Sequence, residues 1–230
     1  MVRRCTPMIK LYLAGDSTMA KKLSTERPET GWGEFLESAF DVNHVYIENV
    51  AQNGRSMRTF ISDELWSQIV DQLQPGDYVF IQFGHNDQSG EKPDRYTSPV
   101  EYRANLVRMV HDVRACKATP IVLTPVVRRN FDEQGNFVDL HPTAYSVAVR
   151  TAAVAENVSL IDMQYASGGI LKEYGDADSL KLFLHLKAGE CPNYPQASKT
   201  TRTSIPQARK LCVLWRSKAY DCSTCRFRNT

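Results

Sequence analysis

At 230 residues, 42% hydrophobic and a formal net charge of +2, the chain has the length and composition of one globular domain with a sizeable core, and no apolar run in it is long enough to span a bilayer. The small net charge conceals two unlike regions. From Ala197 onward, eight Lys/Arg face one acid (Asp221), a charge of +7, whereas the first 196 residues carry twenty basic and twenty-five acidic side chains, a charge of −5.

Met1-Val2-Arg3-Arg4-Cys5 is basic, but the short apolar stretch after it already reads as the first strand. No signal peptide is therefore expected, and the default location is cytoplasmic. Strands are expected at 9–14, 44–49, 77–83, 120–124 and 158–161, several of them apolar nearly throughout, as suits parallel strands buried on both faces. Between them lie helical patterns. In 99–117, Tyr102, Leu106, Met109, Val110 and Val113 recur at three- and four-residue steps, and 59–73 and 142–156 behave similarly. Strand–helix alternation of this kind predicts an α/β fold, a parallel sheet of about five strands between two helical layers.

Polar motifs follow three of the strands. Gly15-Asp16-Ser17-Thr18 follows the first and delivers a serine onto a tight turn, though Gly/Asp/Ser clusters by themselves usually only make turns. Asn49-Val50-Ala51-Gln52-Asn53-Gly54-Arg55-Ser56 follows the second, and Gly84-His85-Asn86-Asp87 the third. Ser17, Gly54 and Asn86 thus each fall beyond the carboxyl end of a strand, where ligands sit in open α/β sheets. With Gly31-Trp32-Gly33, these blocks occur in the order and spacing of the SGNH (GDSL-type) hydrolases. The chain resembles their rhamnogalacturonan acetylesterase-like branch over roughly residues 8 to 196.

The resemblance implies a flavodoxin-like three-layer fold and a serine esterase without metal or organic cofactor. Its substrate would be an acetylated, pectin-derived oligosaccharide. Ester hydrolysis requires a nucleophile, a base and donors for the tetrahedral oxyanion. By resemblance Ser17 is the nucleophile and its N–H one donor, Gly54 supplies a second N–H, and Asn86 a side-chain amide. The bland alternatives are turn formation for Gly54 and strand-end capping for Asn86. Asp16 reads as a turn-forming, buried hydrogen-bonding residue, and His85 as a structural histidine facing away from its neighbour Asn86. Trp32, Arg55 and Thr124-Pro125-Val126 are candidates to line a sugar cleft, with a core role the even alternative for Trp32. Other SGNH activities, such as lipase or thioesterase, and a catalytically dead sugar-binding hydrolase are the competing readings.

The likeness ends near Gln196. The family places its base and orienting carboxylate in an Asp-x-x-His block near the C-terminus, usually Asp-x-Thr-His-Phe. Here no histidine follows His185, and Asp221 is the only later aspartate. Codons compatible with Lys199 to Cys212, read one register over, permit Asp-x-Thr-His-Phe, then Gly-Ala and an apolar-periodic helix. The expectation is a hydrolase domain over 1–196 and an out-of-frame, poorly ordered tail over 197–230. The chain as written should then be nearly inert, with His185 a substitute base that no pattern supports. Cys5, Cys116 and Cys191 are too scattered for a disulfide framework. The basic tail, even with half a zinc site in Cys222-Ser223-Thr224-Cys225, makes a weak case for a nucleic-acid binder, so no nucleic-acid, membrane or metal partner is expected.

Overall fold

The computed structural model describes residues 8–139 and 143–200. Five apolar runs form strands: β1 (Ile9–Gly15), β2 (Val45–Asn49), β3 (Tyr78–Gln82), β4 (Thr119–Leu123) and β5 (Ser159–Ile161). They lie in the order β2-β1-β3-β4-β5 and every neighbouring pair is parallel. This is a flavodoxin-like winding, with its switch point between β1 and β3. In register, Leu13 sits beside Asn49 on one side and Phe80 on the other. The carboxyl ends of β1, β2 and β3 therefore open onto one edge of the sheet.

Strand alternation sorts the core into two layers. Tyr12, Ala14, Val79, Ile81 and Val122 join one apolar cluster, and Leu11, Leu13, Phe80, Ile121 and Leu123 join the other. The first is closed by helix α3 (Pro99–Ala115), whose buried stripe is Tyr102, Leu106, Met109, Val110 and Val113. Burying each such side chain contributes about 1.5–3 kcal/mol. Ser98 starts α3 by accepting the Glu101 N–H at 3.3 Å, with proline in the first turn. Helix α4 (Thr143–Ala155) packs beside it. Pro142, the expected start of that helix, lies outside the described residues.

The helix expected over 59–73 is two short ones, α1 (Met57–Ser62) and α2 (Leu65–Val70). Asp63 closes α1 by donating its N–H to the Thr59 carbonyl, and Glu64 turns the chain left-handed (φ 62) before α2 begins. Helix α5 (Met163–Ser179) has no counterpart among the expected helices. Asp162 caps it by accepting the Tyr165 N–H at 3.0 Å, and Gly175 (φ 66) interrupts its last turn. A two-stranded antiparallel ribbon, β6 (His185–Leu186) with β7 (Ser198–Lys199), follows. Of the region expected to form an aberrant tail, 197–200 are described; the remainder, with Cys212, Cys222 and Cys225, lies outside the described residues, as does Cys5.

Candidate active site

The first loop leaves β1 at Gly15. The Asp16 carboxylate accepts both the N–H (2.9 Å) and the hydroxyl (2.8 Å) of Thr18, and its carbonyl accepts the N–H groups of Met19 and Ala20. Asp16 is thus the buried turn-former that the sequence suggested. Ser17 sits at the apex of this turn, half-exposed between buried neighbours. Among the described residues, nothing hydrogen-bonds its hydroxyl or its N–H.

The second loop runs along the end of β1. Val50 N–H reaches the Leu13 carbonyl at 3.0 Å, and Gln52 N–H reaches the Gly15 carbonyl at 3.1 Å. Gly54 then takes φ +73, a region that glycine enters without the steric cost of a Cβ. Its N–H is also unclaimed among the described residues. The adjacent Asn53 is pinned by buried Lys22, whose ammonium donates to Asn53 Oδ1 at 2.5 Å and pairs with Glu29 at 3.0 Å. Ser56 caps α1 immediately afterwards.

The third loop is sewn to the second by two bonds. Asn86 Nδ2 donates to the Arg55 carbonyl at 2.9 Å, and buried Asp87 accepts the Met57 N–H at 2.9 Å. The other oxygen of Asp87 accepts Gly84 N–H at 3.0 Å. Burial pushes the Asp87 carboxyl up to about 7; the Met57 N–H opposes that rise and the nearby Asp16 charge adds to it. One amide hydrogen of Asn86 fastens the two loops, and the amide carries a second. Tyr145, from α4, braces this loop from below by donating toward the carbonyls of Thr97 (2.7 Å) and Asp87 (3.2 Å).

Trp32 occupies the core position of its two alternatives. It is 5% exposed, it packs in the second apolar cluster, and its indole N–H donates to Gln82 Oε1 at 2.8 Å. A ring so enclosed offers no face for a sugar to stack on. Its backbone N–H also donates to the Thr18 carbonyl at 2.9 Å, so Trp32 braces the serine turn against β3. Arg55 remains half-buried at the rim, with Nε 3.0 Å from Asp63 Oδ2. Thr124 is buried, and its hydroxyl donates to Asp162 at 3.0 Å. Arg150, Tyr165 N–H and Thr124 all donate to that carboxyl; they outweigh burial and hold it below the usual range.

His85 is buried. His185 lies on β6, where burial and the charges of Arg129 and Lys199 lower its pKa and its Nε2 lacks a partner. No hydrogen bond or ion pair joins His185 to the three loops among the described residues. In the same set, no group of three His, Cys, Asp or Glu side chains is arranged to hold a metal ion.

Three residues of the site escaped the sequence reading. Gln82 had a visible signal, a lone polar residue ending the apolar run of β3. Asp87 stood inside a recognised block. Arg95, whose guanidinium lies against Gly54, sits in a charged loop with no distinguishing pattern.

A family model described as GDSL-like lipase/acylhydrolase matches residues 13–188. A probable rhamnogalacturonan acetylesterase of Bacillus subtilis, YesY, is 37% identical over 175 residues, 76% of this chain and 79% of the relative. The rhamnogalacturonan acetylesterase RhgT of the same organism is 32% identical over 187 residues, 81% of this chain and 78% of the relative. Among solved structures, the YxiM protein of B. subtilis superposes with TM-score 0.81 at 23% identity, covering 96% of this chain and 59% of that one. An acetylxylan esterase from Geobacillus stearothermophilus shares the fold with TM-score 0.64 at 19% identity, over 97% of this chain and all of its own.

Proposed function

The chain belongs to the GDSL-like lipase/acylhydrolase family, and from that premise we propose that its site serves the removal of acetyl groups from carbohydrate, with pectin-derived rhamnogalacturonan oligosaccharides as the substrate class. The observation that carries this reading is the unclaimed Ser17 hydroxyl at a turn apex, on a rim where hydrogen bonds interlock the loops of Gly54 and Asn86. In the reaction, Ser17 Oγ bonds to the acetyl carbon and loses its proton. The carbonyl oxygen becomes an oxyanion held by the N–H groups of Ser17 and Gly54 and the amide of Asn86. Collapse expels the sugar oxygen, which takes up a proton to become a free hydroxyl, and water then releases acetate from the serine ester and returns the proton to Ser17 Oγ.

Both proton transfers require a base, and the sequence supplies no histidine after His185. Losing the base in a well-studied serine hydrolase costs about 10⁶ in kcat. This chain is accordingly read as a competent binding and oxyanion platform with an incomplete proton relay. The test is acetate release from acetylated rhamnogalacturonan oligosaccharides, acetylated xylo-oligosaccharides and long-chain p-nitrophenyl esters. It compares the chain as it stands with one whose residues 197–230 are replaced by the shifted reading containing Asp-x-Thr-His-Phe. The restored chain should be faster by about 10⁶ and favour the pectic substrate, and Ser17→Ala should abolish its activity. A restored chain inert on every acetylated glycan, or one indifferent to Ser17→Ala, refutes the assignment.

A further inference from the structure

The cations around the second loop are nearly all spoken for. Lys22 pairs with Glu29, Arg27 with Glu34, Arg55 with Asp63 and Arg58 with Glu101. Arg95 differs. It is half-buried, yet among the described residues its guanidinium has neither an ion-pair nor a hydrogen-bond partner. A Cβ built on Gly54 would stand 3.1 Å from its Nη1 and 3.2 Å from both Cζ and Nη2. Three guanidinium atoms at nearly equal distance mean that the face of the planar group lies against the glycine, and among the described residues its N–H donors are unused.

The side chain is not there by chance of a loose loop. Its own N–H donates to the Lys92 carbonyl at 2.9 Å, and Thr97, two residues on, is held through its N–H by the Asp87 carbonyl at 3.0 Å and through its carbonyl by Tyr145. The loop that carries Asn86 therefore also delivers Arg95 across to the glycine of the second loop. A partly desolvated guanidinium without an anion is costly unless an anion arrives, and its forked donors fit a carboxylate in bidentate fashion.

We infer that Arg95 is a specificity residue of this site, the group that reads a carboxylate of the sugar bound at the rim. This inference rests on the carbohydrate-esterase reading and assigns one residue of its specificity. Gly54 contributes by lacking a side chain: a Cβ there, 3.1 Å from Nη1, would crowd the guanidinium and oblige it to shift by a few tenths of an ångström.

Calorimetric titration of the full chain tests the idea and does not depend on turnover. One probe is an O-acetylated tetrasaccharide of alternating rhamnose and galacturonic acid, and the other is the same oligosaccharide with its carboxylates reduced to primary alcohols. The wild-type chain should bind the acidic probe at least about tenfold more tightly, a preference that weakens as salt rises. Arg95→Gln should erase the preference, weakening binding of the acidic probe at least about tenfold more than binding of the reduced one. Arg95→Lys, which keeps the charge and loses the fork, should retain an intermediate preference, with thermal melts confirming that both variants fold. Equal binding of the two probes by the wild type, or a preference that survives Arg95→Gln, overturns the role of Arg95 and leaves the carbohydrate reading standing. Failure to bind either probe overturns both.

Discussion

Replacing Gln82 with leucine tests whether the rim is held from beneath by one side chain. Gln82 is 1% exposed, accepts the Trp32 indole N–H at 2.8 Å and donates to the Thr124 carbonyl at 3.0 Å. Leucine fills much the same space but makes neither bond, and both partners are buried, Trp32 at 5% and Thr124 at 0% exposure. An orphaned buried donor or acceptor costs about 1–3 kcal/mol, so the pair should cost about 2–6 kcal/mol. Against a typical native stability of about 5–15 kcal/mol that is a large fraction. Urea unfolding followed by tryptophan fluorescence should show a lower midpoint with an unchanged m-value. Adding Trp32→Phe, which removes the indole donor, should cost less on the Gln82→Leu background than on the wild type. A loss below about 1 kcal/mol, or strictly additive effects, would mean that these bonds do not brace the rim.

Further outcomes follow from the same geometry. Asp87 has a folded-state pKa of about 7, above the ordinary carboxylate value, so the stability it contributes is fully present below about pH 4 and is lost as pH rises through 7. Urea melts at pH 5 and pH 7.5 should therefore show a shallower decline for Asp87→Asn than for the wild type; parallel declines would refute the assignment. Gly54→Ala meets both a left-handed φ of +73 and the Arg95 guanidinium at 3.1 Å, and in a chain with the restored Asp-x-Thr-His-Phe segment it should lower kcat/KM for acetylated oligosaccharide. In that same chain, Asn86→Ala should lower kcat by about 10²–10³, the effect of deleting one oxyanion donor. Leu106→Ala, in the buried stripe of α3, should cost about 2–5 kcal/mol in stability and leave sugar affinity untouched.

The strands were legible because β1, β3 and β4 are buried on both faces, which leaves an apolar run no other place to go. Helix α3 was equally plain, since its stripe and its Ser-Pro start agree. The break at Glu64 was not, because a glutamate carries no local signal for a left-handed turn, and the surrounding apolar period runs on as if uninterrupted. Helix α5 was obscured by Gly168, Gly169 and Gly175, which punctuate its period. At the site, the motif blocks pointed to Ser17, Gly54 and Asn86, but the side chains that position them come from elsewhere in the chain. Trp32 became a brace because its indole N–H finds Gln82, a pairing across 50 residues that no local pattern records. Arg95 is set over Gly54 by the fold alone.

The stitches that fasten the rim span long stretches of chain: 30 residues from Met57 to Asp87, 31 from Arg55 to Asn86 and 42 from Gln82 to Thr124. The parallel pairing of β1, β2, β3 and β4 brings the ends of these stretches together. The serine platform therefore takes its shape from the sheet beneath it. A lesion in β3 or β4, even one that touches no ester, would leave the hydroxyl exposed on an unfinished scaffold.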